Sequence, residues 1–431
     1  MKTEQKNYTL PIIVMFALFF MIAFVTNFAG SMGVIVKNQF HASNALSQLG
    51  TLANFIAYAC MGIPAGIILK RKGYKFTSLA AVTVGFVGVG IQFLSGYVES
   101  FGVYVLGAFV AGFSMCMLNI VVNPMLNTLG GGGNKGNQLI QTGGALNSLS
   151  GTLTPLFVGA LIGTVTPKTA MSDVTPLLFI AMGVFAAAFL VISFVAIPEP
   201  HLQKRCAEQR TKDAYSPWSF RHTVLGVIAI FIYVGIEIGI PGTLNFYLAD
   251  SSAKGAGLLA NGAAIGGAIA AIYWLLMLVG RSVSSVISGK VSSRTQLIVV
   301  STTAILFILI AIFIPKTVTV SMPGYSVDNG FQMAQVPVSA LFLVLCGLCT
   351  SVMWGGIFNL AVEGLGKYTA QASGIFMMMV VGGGVLPLVQ QYISDSVGYM
   401  ASYWVIVAGL AYLLYYALAG SKNVNKNIPV E

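Results

Sequence analysis

The chain has 431 residues, 56% of them hydrophobic and only 8% charged, with a mean hydropathy of +0.85. A soluble protein of this length carries about a quarter charged residues to cover its surface, so a water-soluble enzyme is excluded and the chain belongs in a membrane. The net charge of +10 raises nucleic acid as a partner, but the basic residues are scattered between long apolar blocks, which excludes a folded basic face.

The amino terminus, MKTEQKNYTLPIIVMFALFF, is a short polar leader and then an apolar run too long for a signal-peptide core. It reads as a first membrane span. A bilayer core of about 30 Å takes roughly 20 apolar residues as helix. Twelve such blocks follow one another, near 8–36, 45–69, 76–96, 101–129, 138–164, 175–198, 221–249, 257–286, 296–315, 337–362, 371–393 and 399–419. The expected fold is an all-α membrane protein with twelve transmembrane helices.

Of the 22 basic residues, all but Lys37, Lys168, Lys254 and Lys316 fall on one alternating set of connections and ends. An excess of Lys and Arg marks the cytoplasmic side, so both termini and the middle connection are expected there, in a cell inner membrane. That connection, 199–220, divides an amino-terminal six-helix bundle (1–198) from a carboxy-terminal one (221–431). The halves look related. Asn123 opens NPMLNTLGG late in the fourth block and Asn359 opens NLAVEGLGK late in the tenth; the fifth and eleventh blocks are both rich in Gly and Ser with a late proline, Pro155 and Pro387. Two parallel repeats of this kind place a site at mid-membrane between them, and small residues let helices pack closely.

Polar groups deep in a bilayer are costly and mark sites by default. Among the 12 acids, Glu237 alone falls near the middle of a block, in FIYVGIEIGIPGTLNFYL. A carboxylate there can bind a cation, take a proton or accept hydrogen bonds from hydroxyls; equally, neighbouring amides or a cationic partner can neutralise it. Its neighbours Gly235, Gly239, Pro241 and Gly242 allow a broken helix, and Asn245 follows in the same block. Amides recur elsewhere: Asn27, Asn119, Asn123, Gln138, Gln141, Asn147, Asn261, Asn359, Gln390 and Gln391. Tyr273, Trp274 and Trp354 add aromatic faces. Amides satisfy both sides of a hydroxyl and a ring covers the C–H face of a sugar, so this set suits a neutral polyhydroxylated ligand. Any one amide serves equally well as a helix–helix bond. An anionic ligand would want a basic residue at mid-span; Arg281 comes late in the eighth block, near the cytoplasmic edge.

Other chemistries lack their motifs. The five cysteines are an odd count, four of them in apolar blocks, and Cys346-x-x-Cys349 has no polar company, so packing explains it better than a disulfide or metal. GGGGNKGNQ at 130–138 lacks the strand and the Lys-Ser/Thr end of a phosphate loop. No metal, no cofactor and no enzymatic role are expected.

Five segments stand out: Gly66-IILKRKGYK with PAG before it, LNIVVNP (118–124), NQLIQTGGALNSLSG (137–151), YVGIEIGIPGTLNFY (233–247) and EGLGKYTAQASGIFMMMVVGGGVLPLVQQYISDSVG (363–398). With the twelve blocks, they resemble the major facilitator superfamily, and within it the fucose permease-like (fucose–galactose–glucose) sugar transporter branch. The resemblance covers nearly the whole chain. It implies sugar contacts from Asn119, Gln141, Asn147 and Glu237, and a cytoplasmic gating group of Gly66, Lys70, Arg71, Gly73 and Arg281, with Lys70 at a position the superfamily usually fills with Asp. Proton-coupled members carry acids where this chain has Gly30 and Asn119, so coupling through Glu237, coupling to sodium, or uniport stay open. The expected function is import of a neutral sugar across the cytoplasmic membrane by a monomer working through alternating access. The alternative is efflux of a small amphipathic compound, for which the Met377–Met379 cluster speaks. A membrane receptor would need a soluble output domain that these connections are too short to hold.

Overall fold

A computed structural model describes residues 8–31, 49–162, 175–199, 215–250, 252, 254–257, 262–326, 330–425 and 427–430. Among the described residues twelve α-helices run in chain order: α1 (Thr9–Ser31), α2 (Leu49–Val98), α3 (Phe101–Leu129), α4 (Gly133–Ile162), α5 (Thr175–Phe194), α6 (Arg221–Ala249), α7 (Gly262–Ile287), α8 (Ser293–Phe313), α9 (Val338–Val362), α10 (Thr369–Met378), α11 (Gly382–Val397) and α12 (Tyr399–Tyr415). Ten helical segments among the described residues are long and apolar enough to cross a membrane. One of these is α2, whose 50 residues would make a rod of about 75 Å, against a bilayer core of about 30 Å. It counts as two crossings. The 30 residues of α4 are long enough for another despite their Gly, Ser and amide content. The described helices thus fit the twelve blocks of the sequence.

The fold of α2 turns on Gly73, whose φ of 86° and ψ of 179° lie where glycine is the permissive residue. The second arm of α2 therefore starts afresh at Tyr74 with unsatisfied N–H groups. Glu199, just beyond α5, supplies the cap: its Oε2 accepts the Tyr74 N–H at 2.8 Å and its Oε1 accepts the Lys75 N–H at 2.8 Å. In return, Lys75 Nζ donates to the Ser193 and Val195 carbonyls at the end of α5, at 2.8 Å and 3.1 Å. Anion at a helix start and cation at a helix end both oppose the macrodipole favourably. Burial raises the Glu199 carboxyl's pKa, and the two backbone donors act against that rise.

A similar device closes α9. His222 Nε2 lies 2.9 Å from the Glu363 carbonyl and Thr223 Oγ1 donates to the Ala361 carbonyl at 3.0 Å, so the first turn of α6 caps the last turn of α9.

One element goes beyond the all-α expectation. Residues Thr319–Ser326 (β1) and Gly330–Pro337 (β2) form an antiparallel hairpin, registered from Thr319 opposite Pro337 to Ser326 opposite Gly330. In the sequence this stretch falls between the ninth and tenth apolar blocks. Its β-branched TVTVS run and the Ala334/Val336 alternation, both buried against exposed Phe331 and Met333, are the period-2 signal.

By internal contacts the chain forms two compact units. The first is Met1–Ser219 with Gly364–Val380 and Asn427–Glu431; the second is Phe220–Glu363 with Val381–Lys426. Within the first, α2 and α10 meet backbone to backbone. A Cβ added at Gly62 would stand 2.5 Å from Met378 N and 2.6 Å from Gly374 O, and one added at Gly66 would stand 3.0 Å from Gly374 Cα. Only glycine permits that approach.

Candidate functional site

In the second unit, Glu237 stands on the interior of α6, four residues before Pro241. Proline has no N–H, so the Glu237 carbonyl loses its helical donor. The Glu237 carboxylate is paired: Arg281 NH2 donates to its Oε1 at 3.0 Å, with side-chain exposures of 10% for Arg281 and 14% for Glu237. A charge buried alone costs several kcal/mol, so each partner explains the other's presence. Tyr233, one turn earlier on α6 and fully buried, brings its hydroxyl into the field of both charges, without a hydrogen bond of standard geometry. Its ring lies 6.2 Å from that of Trp354. The arrangement is a compact polar group of zero net charge beside two aromatic rings.

The pairing gives Arg281, which the resemblance places in a cytoplasmic gating group, a partner the sequence did not offer: it lies in α7 and its side chain reaches Glu237. Tyr273, Met277 and Arg281 recur every four residues and are all buried, but the spacing alone does not tell which face is inward, so the sequence carried no signal for the pair. Tyr233, missed as a partner, is one turn from Glu237.

The remaining second-unit candidates divide. Tyr273 OH shares a 2.7 Å hydrogen bond with Thr350 Oγ1 and is fully buried, so it ties α7 to α9. Asn359 Nδ2 donates to Ser293 Oγ at 2.9 Å, tying α9 to α8. Asn245 Oδ1 is buried without a partner, beside Gly266 of α7. Trp354 is half-buried.

In the first unit, Asn119 Nδ2 donates to Tyr58 OH and to the Met115 carbonyl, each at 3.0 Å. Asn147 Nδ2 donates to the Phe19 carbonyl at 3.0 Å. Both side chains are half-buried, and these bonds use their NH2 groups, leaving carbonyl oxygens to accept from a hydroxyl. Asn123 is fully buried and donates to the Asn119 carbonyl at 2.9 Å, which is a bond within α3. Gln141 is buried. Asn27 lies on α1, but its side chain falls outside the described residues, as do Asn261 and most of the 199–220 connection.

Of the other residues that the resemblance assigns to gating, Gly66, Lys70 and Arg71 belong to the first arm of α2, and Gly73 marks its end. The Met377–Met379 cluster is packing: Met377 is fully buried and Met378 N faces Gly62.

Comparison with known proteins agrees with this architecture. The chain is 29% identical over 426 residues, covering 98% of itself and 96% of the other protein, to the glucose/galactose transporter of Brucella abortus biovar 1 (strain 9-941). It is 22% identical to the L-fucose-proton symporter of Escherichia coli (strain K12), covering 92% of this chain and 89% of that one. Its fold matches the crystal structure of the transporter FucP in the outward conformation with a TM-score of 0.80 at 18% identity, over 96% of this chain and 100% of that one. The sequence pattern of the Major Facilitator Superfamily matches residues 14–387; with helices that fit twelve crossings, this multi-pass membrane protein belongs to that superfamily of transporters.

Proposed function

We propose that the protein imports a neutral sugar, a monosaccharide or close derivative, across the cytoplasmic membrane by alternating access, as a monomer with both termini in the cytoplasm. The observation that carries this reading is the Glu237–Arg281 pair at 3.0 Å. Because its charges cancel, the polar group suits an uncharged ligand, offering an acceptor and a donor to hydroxyls while the Trp354 ring offers an apolar face. The half-buried acceptor oxygens of Asn119 and Asn147 add to the set, and the sugars for which the relatives are named, glucose, galactose and fucose, belong to the same chemical class. The distribution of Lys and Arg supports the orientation.

Three coupling modes fit the residues. Protonation of Glu237 would release Arg281 and link transport to a proton; a sodium ion could take the role; or the sugar could move down its own gradient. Uptake of radiolabelled D-glucose, D-galactose and L-fucose into proteoliposomes, with imposed proton or sodium gradients and none, separates them. If no hexose, pentose or amino sugar is taken up or competes, the sugar assignment fails.

A further inference from the structure

What an amide can recognise depends on which of its atoms the fold has already used. On α3, every residue from Ser114 to Leu126 is buried except Asn119, so this one side chain opens onto space from which its neighbours are closed off. Its nitrogen carries two hydrogens, and both are spent. One goes to the Met115 carbonyl and one to the Tyr58 hydroxyl, each at 3.0 Å. A carbonyl can only accept, so the Met115 bond decides which end of the amide is nitrogen, and the Tyr58 oxygen must be the second acceptor. The Oδ1 that remains can accept and nothing more.

Of the two bonds, only the one to Tyr58 depends on tertiary structure. Met115 is one turn back on the same helix, whereas Tyr58 belongs to the first arm of α2. Its side chain is buried, at 7% exposure, and its own carbonyl accepts from Cys116 Sγ of α3 at 3.9 Å. Ala57 beside it lies so close to Gly112 of α3 that a Cβ added there would stand 2.6 Å from the Ala57 Cβ. Packing therefore sets the phenol in place before any ligand arrives. Asn147 is the contrast. Among the described residues its nitrogen donates once, to the Phe19 carbonyl, and keeps its second hydrogen.

We propose that Tyr58 is a specificity-determining positioning residue. By taking the second N–H of Asn119 it makes that amide an acceptor only, so the ligand must bring a hydroxyl proton there, while Asn147 can meet a hydroxyl from either side. The inference rests on the sugar reading and deepens it, because it states what the sugar must offer at one ring position.

The test is competition against uptake of radiolabelled D-glucose, D-galactose or L-fucose into proteoliposomes. The competitors are deoxy and deoxyfluoro analogues of the transported sugar, one ring position at a time. Fluorine is close to a hydroxyl in size and accepts weakly, but it cannot donate. The ring position read by Asn119 is the one at which Asn119→Ala loses discrimination against the deoxy analogue. There, wild type should reject both analogues alike, each about tenfold or more weaker than the parent sugar, because the acceptor is left unpaired. Tyr58→Phe keeps the ring and frees one N–H of Asn119. In that variant the fluoro analogue should compete about threefold better than the deoxy one, the worth of one weak hydrogen bond. With Asn119→Ala already in place, Tyr58→Phe should not change the ratio. A merely structural loss would weaken every competitor together and leave the two analogues equal. The wild-type comparison keeps the proposal falsifiable even where the Phe variant is poorly made. Acceptance of the fluoro analogue by wild type at that position, equal analogues in Tyr58→Phe, or no ring position that depends on Asn119 would each overturn the proposal and leave sugar transport standing. No uptake of any of the three sugars by wild type would overturn the sugar reading, and this inference with it.

Discussion

The fifth and eleventh blocks of the sequence look alike, yet they fold differently. The fifth is one continuous helix, α4, whereas the eleventh is α10, a 3-10 turn at Met379–Val381, and α11. Glycine number does not explain this, since both are glycine-rich. At its first turn α4 does meet backbone, through Gly136 against Asn127, but deeper in the helix the contact changes. In α4, a Cβ at Gly143 would meet the side chains of Phe19 and Leu126, which can shift. In α10 and α11, a Cβ at Gly374 or Gly382 would meet backbone, that of Gly62 and of Phe231 respectively, and backbone cannot. Gly374 is fixed within the first unit and Gly382 within the second. The break falls between them, where one helix changes the body to which it belongs.

Substitutions can break this comparison. Gly374→Leu should have the largest effect: it overpacks a backbone contact, costs about 3 kcal/mol or more, and should abolish sugar uptake along with lowering the thermal midpoint in detergent. Uptake near wild type would show the contact to be incidental. Next, Glu237→Gln leaves Arg281 buried without its counter-charge, a loss of about 3–5 kcal/mol; uptake should fall at least tenfold, and a double-mutant cycle with Arg281→Gln should show strong coupling. Additive single effects would mean the 3.0 Å pair is not an energetic unit. Glu199→Ala removes a helix cap and should cost about 1–2 kcal/mol, read as a lower thermal midpoint with the sugar KM unchanged. The smallest effect is expected from Gly143→Ala, under about 1.5 kcal/mol, because the Phe19 ring can move aside; a loss matching that of Gly374→Leu would erase the distinction between soft and rigid glycine contacts.

The helices were legible in the sequence because crossing a bilayer imposes a length and a polarity that few residues violate. Glu237 was legible for the same reason, as the one acid far from any block end. Its partner was not. Arg281 sits near the end of its block in sequence, and only the reach of its side chain brings it inward; position along a helix says little about where a guanidinium lies. Asn359 shows the converse. Its chemistry matched a sugar contact, but its geometry with Ser293 made it a tie between helices, a choice that depends on which face α9 turns to α8. The hairpin lay between two apolar blocks, where a criterion of about 20 apolar residues says nothing of strands, and only its period-2 alternation marks it.

Gly73 and Glu199 together carry a mechanical consequence. Glu199 and Lys75 cross-link the start of the second arm of α2 to the end of α5, forming a braced corner. On the other side of Gly73, the first arm is held by different partners, to α3 through the Asn119–Tyr58 bond and to α10 through the glycine contacts at Gly62 and Gly66. The 50 residues of α2 are therefore anchored as two arms with a single glycine between them. Two separately anchored arms meeting at one permissive residue make a joint, where an unbroken helix would be one rod.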